Sequence, residues 1–485
     1  MGTSIKFCIL VFTGMASLVF IGCGGGATGS PSTPAVHNEW TWMSGSNELN
    51  QHGSYGTLDT PASSNTPGAR TSPSSWTDSS GGLWLFGGYG LGSNGAGGDL
   101  NDLWKYSGGK WTWVVGSAMI EAKGVYGTKG VSAPTNVPGA RYEAASWTDA
   151  YGNFWLFGGL GIDSTGTRGE LNDLWEFSNG EWKWTGGSNV AADPTTPAAG
   201  IYGIQGVASP GNTPGARFEE TTWADHAGNL WLLGGEGFDS TGALGLLTDL
   251  WKYSNGEWTW MSGPNTTAPL FQPGIYGTLG TPDPNNIPGP RTGAAGWADA
   301  DDNLWLFGGQ GNDSTGGAVC SASGATFCFL NDLWKYSSGE WTWMGGSSLN
   351  NEPGTYGTKG TAASANIPGA RWLAVSWMDA AGNVWLFGGT GLDSTTGAYT
   401  VFGDLNDQWK LSGGQWTWTG GSNLASSTPT GIYGTQGEPS ASNVPTQRET
   451  AVGWVDSSGY LWLFGGDDSW VSYGGKLNDL WEYQP

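Results

Sequence analysis

Along most of the chain, large apolar residues alternate with small or polar ones in short runs, and glycine, proline, asparagine or serine closes each run. A period of two is the mark of a half-buried strand, so the pattern predicts many short strands and no long helix. The runs repeat. W-L-F-G-G begins at Trp84, Trp155, Trp305, Trp385 and Trp462, with W-L-L-G-G at Trp231; an N-D-L-W-like string ends at Trp104, Trp175, Trp251, Trp334, Trp409 and Trp481. W-x-W pairs open at Trp40, Trp111, Trp182, Trp258, Trp341 and Trp416, and a further tryptophan stands at Trp76, Trp147, Trp223, Trp297, Trp377 and Trp454. Of the 32 tryptophans, only Trp372 and Trp470 fall outside this pattern, so the tryptophan content reports the repeat and not a ligand site.

Each unit reads as four strands. The first runs from an Arg to a W-T-D segment. A D-x-x-G-N turn leads into the second, L-W-L-F, which Gly-Gly ends because a bend there carries no Cβ penalty. The third, D-L-W-K-Y, turns through S-N-G or S-G-G into the fourth, W-T-W, since such pairs tolerate the positive φ of a type I′ hairpin. Six such units predict an all-β, six-bladed β-propeller over residues 39–485. The two ends fit each other: Glu39–Trp42 is a fourth strand with no preceding three, and the chain stops in a third strand, Leu480–Tyr483, with no fourth. The amino-terminal strand is expected to complete the last blade, which leaves no open sheet edge at the join.

The Gly-Gly pair after each second strand, the aromatic of K-Y-S (Tyr106), the tryptophan opening the fourth strand (Trp111) and the Arg before the first strand resemble the kelch family over residues 39–485. The hairpin between third and fourth strands is shorter than the usual kelch spacing, and the loop before each Arg is longer. The resemblance implies four-stranded propeller blades. It also reaches galactose oxidase, which holds copper through His and Tyr. Here the only histidines are His37, His52 and His226, and the copper set finds no match, so no cofactor and no catalytic metal are expected.

Residues 1–22 carry Lys6 and then an apolar run from Phe7 to Ile21, too short to span a bilayer and suited to a secretory signal. Phe20-Ile21-Gly22-Cys23 resembles a bacterial lipobox, which implies lipidation of Cys23; a plain secretory signal is the alternative. Residues 23–38 have the composition of a flexible tether. The expected location is the bacterial cell envelope, anchored by lipid at Cys23, or else secreted. In such a compartment Cys320 and Cys328, eight residues apart in a polar loop, most simply form a local disulfide. A metal pair is the alternative, but no His or further Cys lies near them in sequence to complete a soft site.

Composition narrows the classes. Glycine contributes 87 of 485 residues, more than twice the usual share of about 7%; together with 13% aromatics this fits a turn-rich globular chain. Eighteen basic against 41 acidic residues, a net charge of -23, leave no basic surface for nucleic acid. The expected partner is an extracellular glycan or protein, with membrane contact through the anchor alone and a monomeric chain.

The long connections, from second to third strand and between units, emerge on one face, where binding loops belong. Two strings recur there. G-x-Y-G-T places Tyr55, Tyr126, Tyr202, Tyr276, Tyr356 and Tyr433, and N-x-P-G-A-R ends at Arg70, Arg141, Arg217, Arg291, Arg371 and Arg448, with small variations. The arginines either form a ring for an anionic ligand or pair with the repeated Asp of N-D-L-W. G-x-D-S-T-G, at Asp163, Asp239, Asp313 and, with an added Thr before the last Gly, Asp393, is either a calcium loop or a run of Asx turns. The residues right after each Arg break the repeat: Tyr142, Glu143, Phe218, Glu219, Glu220, Trp372 and Glu449. At the start of the innermost strand they border the central funnel and form the candidate ligand site, with aromatic platforms and carboxylates suited to sugars. If catalysis occurs, these carboxylates are the acid and base, by analogy with sialidases and kelch-type sugar mutarotases.

Overall fold

The first repeat shows how the pattern becomes a sheet. Strands Ser74–Thr77, Leu83–Phe86, Leu103–Ser107 and Lys110–Val115 pair antiparallel in chain order. The register sets Trp76 opposite Trp84, Leu85 opposite Trp104 and Tyr106 opposite Trp111, so the alternating aromatics collect on the sheet faces. The computed structural model describes residues 38–485 apart from 268–271, 317–327, 396–401, 426–429 and 469–474. The signal segment, Cys23, Cys320 and Trp470 therefore lie outside the described residues.

Among the described residues, six four-stranded antiparallel paths of this kind occur. Their innermost strands are Ser74–Thr77, Ala145–Thr148, Thr221–Ala224, Ala295–Ala298, Val375–Met378 and Val452–Val455. Each touches the next in chain order, and the last touches the first. The chain is a β-propeller. Its closing sheet joins both ends: Glu39–Ser44 pairs with Leu480–Gln484, with Trp40 opposite Tyr483 and Trp42 opposite Trp481.

The core lies between neighbouring sheets. Leu85, Trp104 and Trp111 of the first sheet pack with Trp454, Trp462 and Phe464 of the closing one. The third-strand tryptophan meets the fourth-strand tryptophan edge to face, at 6.4 Å and 89° for Trp104 and Trp111. Trp40 and Trp481 repeat that geometry at 6.4 Å and 89°, although they come from opposite ends of the chain. Edge-to-face pairs add roughly 0.5–1.5 kcal/mol beyond the area they bury.

In four repeats Gly-Gly ends the second strand as expected; in the third and fourth it bends the strand without ending it, which corrects that expectation there. In the third repeat a single strand runs from Leu230 to Phe238 and pairs with Leu244–Ser254, with a register shift between Leu233 and Gly235. Gly235 sits at φ 87°, and a Cβ there would lie 2.5 Å from the Phe218 carbonyl oxygen, so only glycine makes this bulge. The extended strand then pairs with Arg217–Phe218. What reads as a long loop is a second layer of hairpins on the long-loop face, and it holds the residues that follow each Arg.

Candidate functional site

The arginines set the frame. Arg70 is fully buried, and its Nη1 and Nη2 donate to Asp102 Oδ1 and Oδ2 at 2.7 and 2.8 Å. Its Nε donates to Gly68 O and its Nη1 also to Gly87 O. Asp102 Oδ2 further accepts from Tyr55 Oη at 2.6 Å and Trp104 Nε1 at 2.7 Å. Burial, followed by the charge of Asp102, holds the Tyr55 hydroxyl well above its ordinary pKa. The same two-point pairing joins Arg141 to Asp173, Arg217 to Asp249, Arg291 to Asp332, Arg371 to Asp407 and Arg448 to Asp479. The pairing alternative therefore describes the arginine set, whose guanidinium groups are spent on carboxylates and do not form an anion-binding ring. The tyrosines serve the same network.

Each Arg fixes the backbone just before the axis. Two residues later come Ser72, Glu143, Glu219, Gly293, Leu373 and Thr450, all with φ between 48° and 58°. Their amides close a belt. Glu143 N–H donates to Ser72 O at 3.1 Å, Glu219 to Glu143 O at 3.2 Å, Gly293 to Glu219 O at 3.0 Å, Leu373 to Gly293 O at 2.9 Å, Thr450 to Leu373 O at 3.4 Å and Ser72 to Thr450 O at 2.8 Å. Five of these positions hold a residue with a Cβ, for which left-handed backbone costs about 1–2 kcal/mol. The belt was not foreseen from sequence. Gly293 was its one signal, the only glycine at this position in six repeats.

The belt and the residues after it line an axial cavity of about 180 Å³, whose ionisable lining is Glu143, Glu219 and Glu220. Glu143 and Glu219 lie on the same cavity, and each acts on the ionisation of the other. Ser72 Oγ donates to Glu143 Oε1 at 3.4 Å, and Trp372 Nε1 donates to Glu219 Oε2 at 3.2 Å. That last bond spans from the fifth repeat to the third, and the indole passes over Gly293, where a Cβ would lie 2.2 Å from the ring. Burial, then the Glu219 charge, pushes Glu143 well above the carboxylate range. Burial pushes Glu219 up to about 7, against hydrogen bonds from Thr292 and Trp372.

Glu220 stands where the other repeats have Pro73, Ala144, Ala294, Ala374 and Ala451. Both of its carboxyl oxygens are shielded from solvent without a hydrogen-bond partner among the described residues. Its own N–H and that of Ala145 act on it electrostatically but miss bonding geometry. Burial pushes its carboxyl up to about 8.

The remaining predicted residues precede the belt by one position. Glu449 is raised to about 8 by burial and then by Asp404. Thr390 Oγ1 lies 2.6 Å from both Glu449 Oε2 and Asp404 Oδ1; one hydroxyl hydrogen cannot serve two carboxylates, so one of the acids holds a proton and donates back. Trp372 stacks on Phe329 at 6.5 Å and 20°. Tyr142 accepts from Arg168 Nη2 at 3.0 Å, and Arg168 Nε donates to Asp99 Oδ2 at 2.9 Å. Phe218 is half-buried opposite Glu236 in the register. Tyr142 and Phe218 are thus rim residues outside the cavity lining. Thr390, Asp404 and Arg168 escaped the sequence reading because they sit in the second hairpin layer.

The Asp-Ser-Thr-Gly segments are Asx turns. Asp163 Oδ1 accepts from the N–H groups of Thr165, Gly166 and Thr167 and from Thr165 Oγ1, while Oδ2 accepts from Ala191 N–H. No group of three His, Cys, Asp or Glu among the described residues is placed to hold a metal ion. His226 faces Asp302, Nδ1 to Oδ1 2.7 Å, in the turns of the opposite, short-loop face. Because Cys320 lies outside the described residues, the expected Cys320–Cys328 pairing does too.

No protein-family model and no curated protein sequence matches the chain. Among solved structures, the chain is similar to one described as the structure of YjhT, at a TM-score of 0.47 and 14% identity, covering 86% of this chain and 95% of that one. It is also similar to a fungal alcohol oxidase of the AA5 family in complex with copper, at a TM-score of 0.44 and 11% identity, covering 89% of this chain and 76% of that one.

Proposed function

We propose that the protein is a cell-envelope binding protein whose axial cavity takes a small carbohydrate group from the long-loop face. The observation that carries this reading is the placement of Glu143, Glu219 and Glu220 on one small cavity, with Trp372 bound to Glu219 at its rim. Carboxyl groups accept from sugar hydroxyls, and an indole covers the apolar face of a pyranose ring. The cavity is smaller than the roughly 300–1,000 Å³ of drug-sized pockets, which favours a single sugar unit over an extended chain or a protein loop. Anchoring at Cys23 would hold the propeller outside the cytosol.

A glycan array probed with the purified full chain tests the reading. Trp372→Ala and Glu219→Gln should each weaken binding of retained glycans about tenfold or more, which is roughly 1.4 kcal/mol. Undiminished binding by both variants would remove the funnel as the site. A second reading, acid/base chemistry on sugars, is favoured by Glu219 near 7 and Glu220 near 8, since such groups exchange protons at neutral pH. Anomer exchange or bond cleavage, followed by proton NMR and abolished in Glu143→Gln, would support it; no turnover of any bound sugar would dismiss it. Membrane retention of a Cys23→Ser chain would contradict the lipid anchor.

A further inference from the structure

The charges around the axis narrow the ligand. The six arginines that precede the belt are each held at two points by a buried Asp, so none has its charge free for a ligand. Among the described residues, no lysine or arginine lines the cavity. On the rim, Arg168 is tied to Asp99 and Tyr142, and Lys476 lies over the Tyr89 ring, 3.9 Å from Asp467. An anionic sugar entering here would find no cation among the described residues to pair with and would oppose ionisation of Glu143, Glu219, Glu220 and Glu449, whereas a cationic one would favour it.

The acceptors, by contrast, are in surplus. Burial and the neighbouring Glu219 keep Glu143 from ionising, and both oxygens of Glu220 are shielded from solvent with no bonded donor among the described residues. A buried acceptor left without a partner is costly, and a ligand that supplies the donor recovers that cost. The carboxyls do not converge as a metal-ion cluster among the described residues. A hydrogen-bonding cation with several N–H donors suits their spread better than a bare ion.

Resting on the carbohydrate reading above, we infer that the ligand presents a protonated amine, as in an amino sugar with a free ammonium group, and that Glu143, Glu219 and Glu220 receive it. An ammonium offers three donors and no acceptor. Its charge favours the ionised carboxyls, so its arrival releases to the solvent protons that burial keeps on these groups. N-acetylation of the amine removes the charge and adds bulk, and a sugar carboxylate brings the wrong sign.

Calorimetric titration of the purified full chain with D-glucosamine, D-glucose, N-acetyl-D-glucosamine and D-glucuronate, at pH 6.5 in two buffers of different ionisation heat, separates the possibilities. Glucosamine should bind at least tenfold more tightly than glucose and N-acetylglucosamine, glucuronate should bind most weakly, and the heats in the two buffers should differ by the release of protons. Glu220→Ala, which installs the residue four of the other repeats carry immediately after the belt position, should reduce the preference for glucosamine over glucose. Glucose binding as tightly as glucosamine, or glucuronate binding best, overturns the amine inference while the carbohydrate reading stands. Failure of all four, with no glycan retained on the array, removes both. Failure of all four beside retention of neutral glycans on the array removes the amine alone.

Discussion

At the scale of single residues, the site is built at a cost to the fold. Glu220 replaces alanine or proline at a packed position and leaves two buried acceptors unused. Glu220→Ala is expected to stabilise the protein at pH 8 by about 1–3 kcal/mol in urea unfolding, the usual cost of a buried unsatisfied group. The sign with pH follows from the raised carboxyls. Glu219, Glu220 and Glu449 titrate near 7, 8 and 8 in the folded chain, above the ordinary range, so the native state binds more protons than the unfolded state. Stability should therefore fall as pH rises from about 4.5 to 8, and Glu220→Ala should flatten that fall. A steeper fall in the variant would refute the assignment. The residues themselves were legible in the sequence, because Glu143, Glu219, Glu220, Trp372 and Glu449 break a repeat that is otherwise kept. Their grouping was not legible, since the belt that sets Glu143 and Glu219 on one cavity is announced by no local pattern.

At the scale of elements, the Arg–Asp pair and the belt position the site. Asp249→Ala would leave the Arg217 guanidinium buried without its carboxylate, an expected loss of about 3–5 kcal/mol in urea unfolding. A loss under 1 kcal/mol would mean that the pair does not organise its blade. Gly293→Ala tests the belt from the other side. The new Cβ would collide with the Trp372 indole, so this variant should lose ligand binding as Trp372→Ala does, while a binding curve equal to wild type would show that the indole is not needed where it lies. The four strands of each unit were readable from their period of two. The second hairpin layer was not, because Gly-Gly reads as a stop, whereas Gly234 and Gly235 form a bulge through which Leu230–Phe238 continues.

At the scale of the whole molecule, closure and asymmetry divide the chain's work. Thirty tryptophans hold equivalent sheets together and the Glu39–Ser44 strand seals the ring, as the unmatched ends of the repeat implied. Trp40→Ala, at the seal, should cost about 3–5 kcal/mol, the range for truncating a buried aromatic, and thermal unfolding will show whether it does. A symmetric frame offers six equivalent positions at every level of the axis, and a ligand is distinguished only where those positions differ. Here they differ in carboxyl groups on one half of the belt and in one indole reaching across it. The most direct test is a crystal structure of the full chain grown with D-glucosamine. The account predicts the amine within hydrogen-bond distance of Glu143, Glu219 or Glu220, with the sugar ring beside Trp372; glucosamine bound elsewhere, with the funnel empty at saturation, would contradict it.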